Sequence, residues 1–153
     1  MNKSQNNEIF FATSFSGHVD YETNLVHDDF KDRISKLLNS LREVGKFSVY
    51  CAVESEGWRI SDMEPGVSMA TNFENIESRS IFLALVDKVG SDGRGVEIEH
   101  AYNSGSRVLL ATGPGEELGW VMKELVAMGR AEHIPYVDSD ELAFAVAGKV
   151  RYP

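Results

Sequence analysis

Short apolar runs alternate along the chain with longer stretches in which apolar residues recur every three or four positions. Ile9-Phe10-Phe11-Ala12 is the first run and predicts a strand feeding a loop of small hydroxyl residues, Thr13-Ser14-Phe15-Ser16-Gly17. Phe30, Ile34, Leu37, Leu38 and Leu41 then follow helical spacing up to Gly45. Phe47 to Val53 predicts a second strand, Glu54 to Pro65 a polar loop carrying Trp58, and Pro65 to about Ser78 a helix burying Met69, Phe73 and Ile76. Ile81 to Val86 reads as a buried strand, Asp87 to Arg94 as its loop, and Gly95 to Ser104 as the next helix. Arg107 to Ala111 is a fourth strand. Leu118, Val121, Met122, Leu125 and Met128 outline a helix stopped by Gly129. His133 to Val137 is an edge strand, since Pro135 cannot donate to a ladder, and Ser139 or Asp140 caps a last helix to about Ala147.

Five strands alternating with five helices imply parallel pairing through right-handed crossovers, with the sheet covered on both faces. The expected fold is α/β: a three-layer, doubly wound, flavodoxin-like sandwich formed by residues 1–153 as one domain. Its carboxyl edge would gather the loops at Thr13 to Gly17, Glu54 to Glu64, Asp87 to Glu97 and Thr112 to Gly119.

The net charge of −9 and the absence of a basic run argue against a nucleic acid polymer as partner. Backbone N–H groups and hydroxyls can still hold a small phosphorylated ligand. Cys51 is the single cysteine, so an internal disulfide and a thiolate zinc site are both excluded, and His18, His27, His100 and His133 lack metal-ligand spacing. The polar start of the chain and the lack of a long apolar stretch predict a cytoplasmic protein without membrane attachment.

Candidate chemistry concentrates in Gly93-Arg94-Gly95-Val96-Glu97-Ile98-Glu99-His100-Ala101, followed by Gly105 and the strand at Arg107. Gly93 and Gly95 allow close approach of backbone to ligand, and a carboxylate in the first helical turn would be kept ionised by the helix dipole. An apolar strand, a loop, Gly-x-Gly-x-Glu-apolar-x-x-Ala and a later Gly together resemble the nucleoside 2-deoxyribosyltransferases and the related 2'-deoxynucleoside 5'-phosphate N-hydrolases.

The resemblance implies that Glu97 is a nucleophile attacking the anomeric carbon, forming a glycosyl ester later captured by water or another base. It implies no metal and no cofactor, and a homodimer or higher oligomer whose neighbour helps to complete each site. Glu99 stands where the family usually has Gly and reads as a solvated or interface residue. Where the family commonly has an Asp, eight residues ahead of Ser80, this chain has Asn72. An amide orients a hydroxyl but donates no acid proton, so protonation of the leaving base either moves to Glu74, Glu77 or Asp87 or is weak.

Ser14 and Ser91 match phosphate-contacting serines of the hydrolase branch, while Ser16 replaces an Arg. Asp87 either binds ribose hydroxyls or caps its loop. Phe10 and Phe15 fall where the family sets aromatic residues near the base, with core packing the alternative for Phe10. Trp58 either closes over the ligand or faces a partner, and Trp120 follows a loop that the family presents to the neighbouring subunit. Gly17 completes the first loop.

The expected function is cleavage of the N-glycosidic bond of a nucleoside 5'-monophosphate or nucleoside. Base exchange by a 2-deoxyribosyltransferase, a nucleotide-binding module without turnover, and an unrelated flavodoxin-like binding domain are the alternatives.

Overall fold

The computed structural model describes residues 7–14, 16–60, 66–86 and 92–151. In chain order its elements are β1 (Glu8–Ala12), a 3-10 turn (Ser16–His18), β2 (Val19–Asp20), β3 (Leu25–Val26), α1 (Asp28–Glu43), β4 (Ser48–Cys51) and α2 (Ala52–Ser55). They continue as α3 (Val67–Glu77), β5 (Ile81–Leu85), α4 (Asp92–Asn103), β6 (Arg107–Thr112), α5 (Trp120–Ala127), β7 (Glu132–Pro135) and α6 (Ser139–Arg151). The main sheet has five parallel strands in the order β4-β1-β5-β6-β7, the doubly wound arrangement expected.

Period-two alternation splits each apolar run between two cores. Ile9, Phe11, Ile81, Leu83, Leu85, Leu109 and Ile134 pack with Ile34, Leu38 and Leu41 of α1 and Leu142 and Val146 of α6. On the opposite face Phe10, Phe82, Ala84, Val108 and Leu110 pack with Ile76 of α3 and Ile98 and Ala101 of α4. Each fully buried large side chain contributes about 1.5–3 kcal/mol. The second layer is thinner: α5 has no fully buried residue, and Trp120, Val121 and Met128 are exposed.

Several boundaries differ from expectation. The second strand ends at Cys51, and Ala52–Ser55 turns into α2, so Val53 and Glu54 are helical. Arg42 holds that turn in place: its Nη1 and Nη2 donate to Glu54 Oε2 and Oε1 at 2.9 and 2.6 Å, and Nη2 also donates to Val49 O at 2.9 Å. A two-stranded antiparallel hairpin, β2 with β3, occupies the stretch between the first loop and α1. Met69 is exposed rather than buried, leaving Ile76 as the only buried residue of α3. α4 begins at Asp92 rather than at Gly95, which places Gly93 inside the helix rather than in the loop. α6 runs on to Arg151.

Two glycines act as the pattern requires. Gly105 follows α4 with φ 90°, a left-handed conformation that terminates a helix at low cost for Gly. At Gly45 a β-carbon would sit 2.7 Å from both Leu41 O and Phe47 Cδ2, so the chain can reverse there only without a side chain.

Candidate active site

The crossovers from β1 and into β5 leave in opposite directions, so the carboxyl ends of these neighbouring strands form the switch point where open α/β sheets bind ligands. A cavity of about 170 Å³ lies there, lined by Phe10, Phe11, Ala12, Thr13 and Ser14 from β1 and its continuation. Cys51, Ala52 and Val53 close it from the β4–α2 junction, Asn72 from α3 and Glu97 from α4.

Glu97 occupies the second turn of α4, not the first, because the helix starts earlier than the glycines suggest. The dipole is felt mainly in the first turn, and burial prevails: it pushes the Glu97 carboxyl up to about 7, against a weaker opposite pull from Arg94. Arg94 lies one turn before Glu97 and is itself only 6% exposed. Sequence reasoning passed over this buried cation, since an Arg between two glycines looks like a loop residue.

The hydroxyls of Thr13 and Ser14 are buried and make no hydrogen bond among the described residues. Ser14 is 4% exposed. Polar atoms sealed from water normally have partners, so these two hydroxyls beside the cavity are unsatisfied exceptions. Phe10 forms part of the lining and of the core together: it stacks on Phe82 with centroids 5.5 Å apart and tilts against Tyr50 at 5.6 Å. Burial pushes the Cys51 thiol up to about 11, which keeps it neutral and makes it part of the apolar wall rather than a nucleophile.

Asn72 is held opposite α4 by its neighbours. Phe73 stacks on His100 at 4.0 Å between centroids, and His100 Nε2 meets Glu77 Oε1 at 2.9 Å. Glu77 is thereby engaged away from the cavity, and neither Glu77 nor the exposed Glu74 lines it. Glu99 pairs with Arg130 on the surface, Nη1 lying 2.9 and 3.1 Å from its two carboxylate oxygens. Among the described residues Glu97 is therefore the carboxylate of the cavity.

The other candidate residues separate. Trp58 packs against the α1-side core, with Lys31 Nζ 5.9 Å from its ring, and does not line the cavity. Trp120, at the start of α5, is 77% exposed. Gly17 lies in the exposed 3-10 turn and Gly95 on the outer side of α4. Phe15, Asp87 and Ser91 lie outside the described residues, and Ser16 and Gly93 are placed by their backbone alone. No cluster of three or more His, Cys, Asp or Glu side chains suited to a metal occurs among the described residues. No described helix is long and apolar enough to cross a membrane.

No protein-family model and no curated protein matches the chain. Solved structures do. The CMP N-glycosidase BcmB of Clostridium botulinum aligns over 91% of this chain and 97% of its own at 19% identity, with a TM-score of 0.62. The solution structure of BlsM aligns over 97% of this chain and 92% of its own at 22% identity, with a TM-score of 0.73. The 2-deoxyribosyltransferase of Bacillus psychrosaccharolyticus aligns over 92% and 95% respectively at 17% identity, with a TM-score of 0.62. At these identities the likeness is one of fold, and the chain shares its α/β architecture with these proteins along almost its whole length.

Proposed function

We propose that this protein cleaves the N-glycosidic bond of a nucleoside 5'-monophosphate or nucleoside, with Glu97 as the nucleophile. The observation that carries the reading is a largely buried carboxylate at the switch point, the one that lines the cavity among the described residues, with its ionisation pushed up to about 7 and an amide and two unpartnered hydroxyls in the same lining. A group titrating near the working pH is available in both ionisation states. The similarity in fold to a CMP N-glycosidase and to a 2-deoxyribosyltransferase supports the same chemical class.

In this mechanism an ionised oxygen of Glu97 attacks the anomeric carbon, and the C1'–N bond breaks with its electron pair passing to the base. Water then attacks the glycosyl ester and returns Glu97 as a carboxylate. One water is consumed: its hydroxyl ends on C1' and its proton on the base. Asn72 donates hydrogen bonds but no acid proton, so the leaving nitrogen is protonated from solvent. The apolar wall strengthens the attraction between the carboxylate and the cationic character developing at C1'.

Hydrolysis is preferred to base exchange because Ser14, with Ser91, matches the phosphate-binding branch. The exposed apolar residues of the second helix layer, among them Met69, Val96, Trp120 and Val121, support a homodimer or larger oligomer. Incubation with a panel of nucleosides and monophosphates, with and without an acceptor base, tests the reading. Free base from the wild type, and none from Glu97→Ala, is the expected result; equal behaviour of the two proteins on every substrate overturns it. Asn72 favours a second reading, a binding module without turnover, for which calorimetry would show binding while the product assay shows no base.

A further inference from the structure

We infer that Arg42, which is not among the residues lining the cavity, is a positioning residue for it: by docking α2 it fixes the Ala52–Val53 wall on the flank opposite Glu97. The consequence for substrate rests on the glycoside reading; the first test does not.

α2 has little of its own to hold it. It is a single turn, Ala52–Ser55, with no side-chain hydrogen bond at its start, and isolated helices of that length do not persist in water. It follows β4, the outermost strand of the sheet, and leaves through Gly57 and Trp58, both left-handed with φ of 77° and 63°. Val53 packs into the α1-side core at 3% exposure, but apolar contact is non-directional and does not by itself set the rotation of one turn. Ser55 Oγ lies 3.4 Å from Tyr50 OH, too long to do so. The directional contact is the fork of Arg42 on Glu54, the residue after Val53, with bonds of 2.9 and 2.6 Å and a third to Val49 O at 2.9 Å. Planar, charge-assisted pairing of this kind fixes orientation as well as distance. Its base is rigid, because Arg42 follows the fully buried Leu41 in the last turn of the 16-residue α1.

Ala52 and Val53 line the cavity from the β4 flank, and Glu97 lines it from α4, which follows β5 on the other flank of β1. A ligand between them is held against the carboxylate only while the turn is docked. Undocking leaves Glu97 in place and removes the surface on which the ligand rests. Affinity then falls with the fraction of molecules in which the turn is docked, whereas a ligand once bound completes the docked arrangement and reacts at the ordinary rate. Loss of the fork is therefore expected in KM and not in kcat.

Hydrogen exchange of the ligand-free protein tests the docking. The amides of Glu56, Gly57 and Trp58 donate to Ala52 O, Glu54 O and Val53 O at 3.0, 3.0 and 2.8 Å, so their protection reports the turn. Arg42→Met and Glu54→Ala should each speed their exchange about tenfold or more, and the double variant should be no faster than Arg42→Met alone. Arg42→Lys, which keeps the charge without the fork, should recover only part of the protection. Unchanged protection, or an equal loss in α2 and at Leu83 of β5, overturns the proposal whatever the protein catalyses. Glu54→Ala, at a side chain 32% exposed, carries this test if Arg42→Met does not fold. The second measurement is the split between KM and kcat for a nucleoside or monophosphate that wild type cleaves: Arg42→Met should raise KM about threefold or more and keep kcat within about twofold. An unchanged KM, with or without a fall in kcat, overturns the proposal. Should wild type release no base from any substrate, the glycoside reading fails by itself, and the Kd of a nucleoside 5'-monophosphate from calorimetry takes the place of KM, an unchanged Kd overturning the proposal.

Discussion

The imidazole of His100 lies flat on the ring of Phe73, with centroids 4.0 Å apart and planes 11° from parallel, while its Nε2 reaches Glu77 Oε1 at 2.9 Å. Phe73 follows Asn72 on α3, and His100 stands one turn beyond Glu97 on α4. The stack therefore pins together the two helices that deliver the amide and the carboxylate to one cavity. α3 needs such a pin, since Ile76 is its only buried residue.

His100→Ala is accordingly expected to lower kcat several-fold with a smaller change in KM, and to cost about 1 kcal/mol of stability from the lost stack. The partly exposed pair with Glu77 adds little. His100→Phe keeps the stack and should restore most of kcat. Adding Asn72→Ala to His100→Ala should reduce the rate less than Asn72→Ala alone does, a coupling that a double-mutant cycle measures.

Glu97 sets a pH dependence of both activity and stability. As a nucleophile it must be ionised, so the rate should rise with pH through a midpoint near 7. Its carboxyl is raised from 4.5 in the unfolded chain to about 7 in the fold, so the folded state favours the protonated form. Below pH 4.5 there is no penalty; it grows between the two values and is full above pH 7. Glu97→Gln should thus be inactive yet more stable than wild type at pH 8, by up to about 3 kcal/mol. Denaturant melts at pH 8 and pH 4 check this, the advantage being absent at the lower pH.

Arg94 opposes the effect of burial on Glu97. Arg94→Met removes that positive charge while keeping much of the volume, and the acid limb of the rate profile should move to higher pH. Arg94→Lys should leave it near its original position. A pH–rate profile of the three proteins separates an electrostatic role from one of packing.

Asn72→Asp puts an ionisable acid where only an amide stands. Protonated, the new carboxyl can donate to the departing base, and the rate should increase in the window where Glu97 is ionised and the introduced carboxyl is not. The profile should become bell-shaped, gaining an alkaline limb that wild type lacks. A profile that stays sigmoidal would mean that position 72 does not reach the leaving group.

The fold carries its own test at the turn between α1 and β4. Lys46 is exposed at φ 60°, a left-handed conformation costly for any side chain, and Lys46→Gly should stabilise by about 0.5–1 kcal/mol. Beside it, Gly45→Ala should destabilise by about 1–3 kcal/mol, because the new methyl meets Leu41 O and Phe47 at 2.7 Å. Thermal melts of the two variants should move in opposite directions.

Strands and helices with long apolar periods were legible from the chain alone; Asn72, Ser14, Phe10 and Glu97, which the resemblance singled out, line one cavity. What escaped has physical causes. β2 and β3 have two residues each, too few to show alternation. α2 is a single turn fixed by Arg42, a residue on another element. Gly93 suggests a loop by propensity, yet α4 starts ahead of it at Asp92, which moves Glu97 from the first helical turn to the second. Trp58 has the composition of a lid, but its φ of 63° and its packing against the α1-side core turn it away from the cavity. The unsatisfied hydroxyls of Thr13 and Ser14 left no trace in the sequence, because a missing hydrogen bond is a property of three-dimensional neighbours and not of a local pattern.

Cys51 has a consequence of another kind. It is the chain's single thiol, 1% exposed, and it stands in the wall of the cavity at the end of β4. At that exposure a thiol reagent reaches it only through a local opening around the cavity, so the rate of its modification times that opening. Any occupant of the cavity slows the same clock by mass action, whether or not it reacts. The molecule thus contains a native reporter of occupancy, which needs no attached label and can be used to screen sugars, nucleosides and inert analogues on equal terms.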